Sequence, residues 1–132
     1  MIRLLTIIGA RPQIIKAAAI SRAINNHFQG QIEESILHTG QHYDTNMSSV
    51  FFDELGIPQP HYNLHVGSGS HGTQTARIIE GVEKVLEEAK ANHTPFDGVV
   101  VYGDTNSTLA AAIAATKIHV PVFHIEAGLR SF

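Results

Sequence analysis

Asp104, in VVVYGDTNST, and Glu126, in VPVFHIEAGLR, each stand where a run of strand-forming residues gives out and a turn or helix begins. Carboxylates so placed can take or give a proton, or orient a substrate group. A parallel α/β sheet binds its ligands at the carboxyl ends of its strands, so both side chains are expected to face one cleft. For Asp104 the alternative role is capping the following helix, which Thr105, Asn106 or Ser107 could also do. For Glu126 the alternative is an ion pair with Arg130, since a carboxylate closing an apolar strand is costly unless partnered.

The opening turn, GARPQIIK, adds cations. A strand, a glycine, a turn and a helix in succession present backbone N–H groups and a positive dipole end to an anion, and Arg11 and Lys16 add two cationic donors. A diphosphate would suit them. Neither a Walker A pattern nor GxGxxG is present, so the ordinary nucleotide-hydrolysis and dinucleotide fingerprints are unmet. The alternative is that Gly9 only permits the turn and both cations are solvated. The nine histidines raise the question of a metal, but neither His38 and His42 nor His61 and His65 has the helical HExxH arrangement, so no metal is expected. His42, in TGQHYD, follows the second expected strand at the same sheet edge as the acidic residues; its alternative role is a polar loop side chain.

Short β-rich runs alternate with longer helical ones, the rhythm of βαβ units around a parallel sheet. Strands are expected at Ile2 to Ile8, Ile32 to His38, Asp97 to Tyr102 and Val120 to Ile125. Pro12 can open the first helix, where its missing N–H does no harm. A second helix is expected around Ser48 to Leu55 and an Ala-rich one from Thr105 to Lys117. Between Thr73 and Ala91, Ile78, Val82, Val85, Leu86 and Ala89 recur at three and four residue intervals, which places a core stripe on one helix face. The stretch from Gly56 to Gly72 is dense in turn residues and reads as a long surface loop with a functional role. The sequence ends a few residues past Glu126, with no helix to cover the last strand, and is expected to be incomplete.

With 132 residues, 43% hydrophobic and 16% charged, the chain can bury one ordinary core. Its formal charge of −3 gives no electrostatic reason to expect nucleic acid or an anionic membrane. The absence of Cys excludes disulfides, thiolate metal sites and cysteine nucleophiles, and is compatible with a cytoplasmic setting. The apolar start, MIRLLTIIGA, reads as a strand and not as a signal peptide, and no run approaches the ~20 apolar residues that span a bilayer.

Taken together, GARPQIIKAA, HTGQHYDTNM, FFDELGIP, YGDTNSTLAA and HIEAGLRSF, in this order and at these separations, resemble the amino-terminal part of the non-hydrolysing UDP-N-acetylglucosamine 2-epimerases. The resemblance runs over essentially the whole chain. It implies an α/β, Rossmann-like amino-terminal domain of a two-domain enzyme of GT-B type, with UDP-sugar held between the domains. Residues 1–132 are then one incomplete domain, and the second nucleotide-binding domain is not in this chain. Such enzymes interconvert UDP-N-acetylglucosamine and UDP-N-acetylmannosamine for cell-surface polysaccharides, and are commonly homodimers; no cofactor is expected.

By motif, Asp104 and Glu126 match the family's acid/base carboxylates, and Arg11 and Lys16 match basic residues near the diphosphate. Gln41 and His42 match a GQH segment associated with a regulatory UDP-sugar site. Two departures stand out. Gln13 replaces a Glu frequent after the Arg-Pro, which alters the charge environment of Arg11. GSGSHG, at 67–72, replaces an Arg-Gln pair of the regulatory site, which puts activation by substrate in doubt. Alone, the chain is expected to be inactive or nearly so. Related activities, on a UDP-diacetamido uronic acid or by hydrolysis to N-acetylmannosamine, are the alternatives within the enzyme class. A non-catalytic nucleotide-sugar binding or dimerisation module, or a remnant without function, lies outside it.

Overall fold

The computed structural model describes residues 1–41 and 49–125. Glu126, Arg130 and His42 lie outside them. The elements are β1 (Ile2–Ile8), α1 (Arg11–His27), β2 (Ile32–His38), α2 (Ser49–Leu55), β3 (Tyr62–Asn63), α3 (His71–Ala91), β4 (Gly98–Tyr102), α4 (Asn106–Lys117) and β5 (Val122–Ile125). The five strands form one sheet in the order β3-β2-β1-β4-β5, and every pairing is parallel. Strand order therefore reverses between β1 and β4. That is the doubly wound, Rossmann-like arrangement, whose ligand crevice opens at the carboxyl ends of the two strands flanking the reversal.

Period-two alternation along the strands divides the core between the two faces. Leu5, Ile7, Leu37, Val99 and Val101 pack under α3 and α4, where they meet Ile78, Val82 and the small residues Ala110, Ala111, Ala114 and Ala115. Ile8, Ile36, Val100 and Tyr102 point the other way, onto Ile14, Ala17 and Ala18 of α1 and Phe52 of α2. The expected stripe on α3 is buried as read, and Gln74 joins it. On the α1 face a half-buried carboxylate, Glu34, accepts hydrogen bonds from Thr6 Oγ1 at 2.6 Å and Ser21 Oγ at 2.5 Å. That pairing is how a charged side chain is held beside the core.

Three expectations change. The stretch from Gly56 to Gly72 is not simply a surface loop: it supplies β3, and it buries Ile57 and Val66. Leu64 N–H donates to His38 carbonyl at 3.0 Å, Val66 to Thr39 at 2.9 Å and Gly67 to Gly40 at 2.8 Å, so the segment follows the sheet edge beyond the strand proper. Second, α3 starts at His71, two residues before the expected Thr73, because Ser70 caps it through a bond from Thr73 N–H at 3.2 Å. Third, the N-cap of α4 is Thr105, so capping is not the role of Asp104.

Candidate functional site

Three chain segments meet at the carboxyl edge of the sheet: the turn after β1 (Gly9 and Ala10), the segment after β2 (Thr39 to Gln41) and the turn after β4 (Gly103 to Thr105). Gly9 sits between the other two. A Cβ there would stand 2.4 Å from both Ser107 Oγ and Thr39 Oγ1, so only glycine lets them close over it. Thr39 Oγ1 and Ser107 Oγ are themselves 2.8 Å apart and hydrogen-bonded. Gln41, 7% exposed, accepts through Oε1 from the Ser107 backbone N–H at 2.9 Å and from its hydroxyl. One of the amides that begins α4 is thereby satisfied from β2's side of the crevice.

The turn after β1 directs two of the backbone amides expected of an anion cradle inward. Gly9 N–H and Ala10 N–H both donate inward, to Gln13 Oε1, at 2.8 and 3.2 Å. This is half of a capping box, in which the third helical residue reaches back to the N-cap amide while Ala10 has no acceptor to offer in return. Gln13 is 5% exposed, and its Nε2 donates to Tyr102 carbonyl and to Thr105 Oγ1, both at 2.9 Å. The residue noted in the sequence as a neighbour of Arg11 is thus committed to the backbone of two turns. Arg11 and Lys16 lie exposed on α1, with the Arg11 guanidinium 5.0 Å from the centre of the Phe51 ring.

Asp104 is exposed and lines an open cavity of about 460 Å³ together with Gln41, Ser68, Gly69, His71, Gln74, Thr105 and Asn106. Its far wall is held by amides. Gln74 Nε2 donates to the carbonyls of Gly67 at 2.8 Å and Gln41 at 3.2 Å, while Asn106 Nδ2 donates to Gln74 Oε1 at 3.0 Å and lies 2.9 Å from His71 Nδ1. With Nδ1 accepting, the His71 proton resides on Nε2. A carboxylate facing hydroxyl, amide and imidazole groups in an open pocket can move a proton on a polar, hydroxyl-rich ligand.

Two histidines border the site. His124, on β5, donates from Nε2 to Gly103 carbonyl at 2.5 Å and braces the turn that carries Asp104. His38, 6% exposed at the end of β2, accepts the Gly40 N–H through Nδ1 at 2.9 Å. Gly40 has φ +79°, and a Cβ on it would meet Val66 N at 2.9 Å. Burial lowers the His38 pKa from 6.5, and the neighbouring His65 lowers it further. Tyr102 moves the other way: burial raises its phenol pKa and the Glu34 carboxylate adds to the rise. Its hydroxyl has no hydrogen-bond partner among the described residues.

The structure thus brings Asp104 and Gln41 into one cavity, with Arg11 and Lys16 outside its lining; Glu126 and His42 fall outside the described residues. Sequence reading did not single out Gln13 as a link between turns, or Ser107, Gln74, His71 and His124 as site residues. A glutamine at the third position of α1 was the available signal for the first of these, because it is the capping-box position. Among the described residues no group of three metal-ligating side chains converges, and no helix is long and apolar enough to cross a membrane.

Fold and site together define a Rossmann-like α/β domain with its crevice at the β1/β4 reversal. Residues 23–132 match the family described as UDP-N-acetylglucosamine 2-epimerase, and the chain belongs to that family. A Pseudomonas aeruginosa protein named UDP-2,3-diacetamido-2,3-dideoxy-D-glucuronate 2-epimerase is 55% identical over 130 residues, which are 98% of this chain and 35% of that protein. A Methanococcus maripaludis UDP-N-acetylglucosamine 2-epimerase homolog is 53% identical over 130 residues, 98% of this chain and 34% of its own length. Among solved structures, the Methanocaldococcus jannaschii UDP-GlcNAc 2-epimerase in complex with UDP-GlcNAc and UDP superposes with a TM-score of 0.86 at 48% identity, covering 99% of this chain and 34% of that one. The chain therefore spans about a third of the length of these relatives.

Proposed function

We propose that this chain is the amino-terminal, Rossmann-like part of a cytoplasmic two-domain enzyme of GT-B type that interconverts UDP-N-acetylglucosamine and UDP-N-acetylmannosamine. The observation that carries the reading is the position of Asp104. In a chain of this family, it lies at the carboxyl end of β4, beside the strand-order reversal, in an open polar cavity. The structure of a relative in complex with UDP-GlcNAc and UDP supports a UDP-sugar as ligand.

The proposed reaction is an elimination followed by an addition. A carboxylate takes the C2 proton as the C1–O bond breaks, its electron pair leaving on the diphosphate of UDP and a C1=C2 double bond remaining in the sugar. A second acid then delivers a proton to the opposite face of C2, and the UDP oxygen returns to C1, so no atom is gained or lost. Two acid/base groups on opposed faces are needed, and Asp104 and Glu126 are assigned to them. The departing diphosphate carries growing charge, for which Arg11 and Lys16 are the assigned partners on this side of the cleft. A second domain would close the other side, and the full protein would act as a homodimer, without cofactor, in making precursors of cell-surface polysaccharide. Gln41 and His42 are assigned to a UDP-sugar regulatory subsite; Gln41 shares the cavity with Asp104.

A second reading within the same chemistry is favoured by the 55% identical relative: a UDP-diacetamido uronic acid as substrate. Incubating the intact protein that carries this chain with each UDP-sugar and identifying the products by NMR separates the two readings. Binding of UDP without any turnover would instead favour a non-catalytic module.

A further inference from the structure

Gln13 has no chemistry of its own, yet its side chain is the bond between the two turns that matter. Oε1 accepts Gly9 N–H at 2.8 Å and Ala10 N–H at 3.2 Å, and Nε2 donates to Tyr102 carbonyl and Thr105 Oγ1 at 2.9 Å each. A primary amide offers two lone pairs and two donors, so these four contacts use its whole capacity. Its orientation is also settled by chemistry, because only the oxygen can face two N–H groups and only the nitrogen can face a carbonyl. Arg11 follows Ala10 directly, and Asp104 lies between Tyr102 and Thr105. The two turns belong to the strands that flank the reversal in the sheet.

From this geometry we infer that Gln13 is a positioning residue for the proposed reaction. It sets the separation and angle between the turn that presents Arg11 to the diphosphate and the turn that presents Asp104 to the reacting carbon. The inference rests on the epimerase reading above and adds to it the part that couples phosphate binding to proton transfer. Buried at 5% exposure, the link is screened from water, and Thr108 Oγ1, 3.5 Å from Nε2, is a further and longer acceptor on the same side. A displacement of about 1 Å between a bound substrate and a catalytic group costs on the order of 10²-fold in rate.

The chemistry of the link also supplies a variant that can be switched. In Gln13→Glu an ionised carboxylate still accepts from Gly9 and Ala10 but sets a lone pair against Tyr102 carbonyl. A protonated carboxyl restores a donor there. Burial and the facing carbonyl both favour the neutral acid, the form in which the Glu frequent at this position in the family can keep the same contacts. Gln13→Leu removes both ends of the link at every pH.

The test uses the intact protein carrying this chain, with UDP-N-acetylglucosamine in D₂O, following C2 exchange for kcat and KM between about pH 5.5 and 9 and thermal unfolding in parallel. Gln13→Leu is expected to lower kcat by about tenfold or more throughout. Gln13→Glu is expected to match the parent at the acid end and to fall increasingly below it as pH rises. Titratable groups on the surrounding elements, Arg11, Lys16, His38, Tyr102, Asp104 and His124, are common to parent and variant, so the difference between profiles isolates residue 13. A role confined to stability would lower the unfolding temperature and leave the kcat of folded protein and its pH profile unchanged; that result, or parent-like kinetics in both variants, overturns the inference. If Gln13→Leu does not fold, the Gln13→Glu profile decides alone. A parent protein inert toward UDP-N-acetylglucosamine would remove the functional reading and this inference with it, whereas a competent parent with unaffected variants removes only the inference.

Discussion

Gln41 Oε1 holds Ser107 by both its backbone N–H, at 2.9 Å, and its hydroxyl, across 66 residues of sequence. The contact fastens the end of β2 to the start of α4, and so fixes one wall of the cavity that Asp104 lines.

Gln41→Ala would leave the buried Ser107 amide without its acceptor. Unsatisfied buried donors cost about 1–3 kcal/mol, and that is the expected loss of unfolding free energy. Urea denaturation at fixed pH reads it as a lowered midpoint with little change in slope. An unchanged midpoint would mean that the contact contributes nothing to the folded state.

His38 should make stability depend on pH. Burial, and then His65, depress its folded pKa below the 6.5 of the free side chain. Above that value both states are neutral and the full stability is present. As pH falls below about 6.5 the unfolded chain takes up a proton that the folded one resists, so stability declines until the folded pKa is passed, by up to ~1.4 kcal/mol per pH unit. His38→Asn keeps an acceptor for the Gly40 amide and removes the titration. Urea midpoints of parent and variant should therefore diverge on acidification, and parallel curves would contradict the assignment.

Asp104→Asn preserves shape and removes the charge. Because Asp104 is exposed, the unfolding free energy should move by no more than about 0.5 kcal/mol. Turnover of the intact protein should fall by about 10²–10⁴, the usual worth of a positioned acid or base. Steady-state kinetics with a thermal melt on the same sample distinguishes this from misfolding.

What was legible in the sequence follows from which residues act locally. β1 is buried on both faces over much of its length, so an apolar run marked it, and the α3 stripe declared its own face. β3 was hidden because its two residues sit among turn formers, although Tyr62, Leu64 and Val66 do alternate with period two and all pack on the core. Asp104 was legible because a carboxylate at a strand end stands out against the residues before it. Gln13 was visible as a departure, but its function was not. A glutamine's partners are set by the 89 residues that separate it from Tyr102, and no local pattern records that distance. The same holds for the inward-turned amides of Gly9 and Ala10, which a strand-glycine-helix pattern alone assigns to a ligand.

The most direct test of the account is solvent exchange at the sugar carbon it places beside Asp104. The intact protein carrying this chain, incubated with UDP-N-acetylglucosamine in D₂O, should place deuterium at C2 and yield both epimers. Folded protein that binds the nucleotide sugar yet leaves C2 fully protonated, with no second epimer formed, would contradict it.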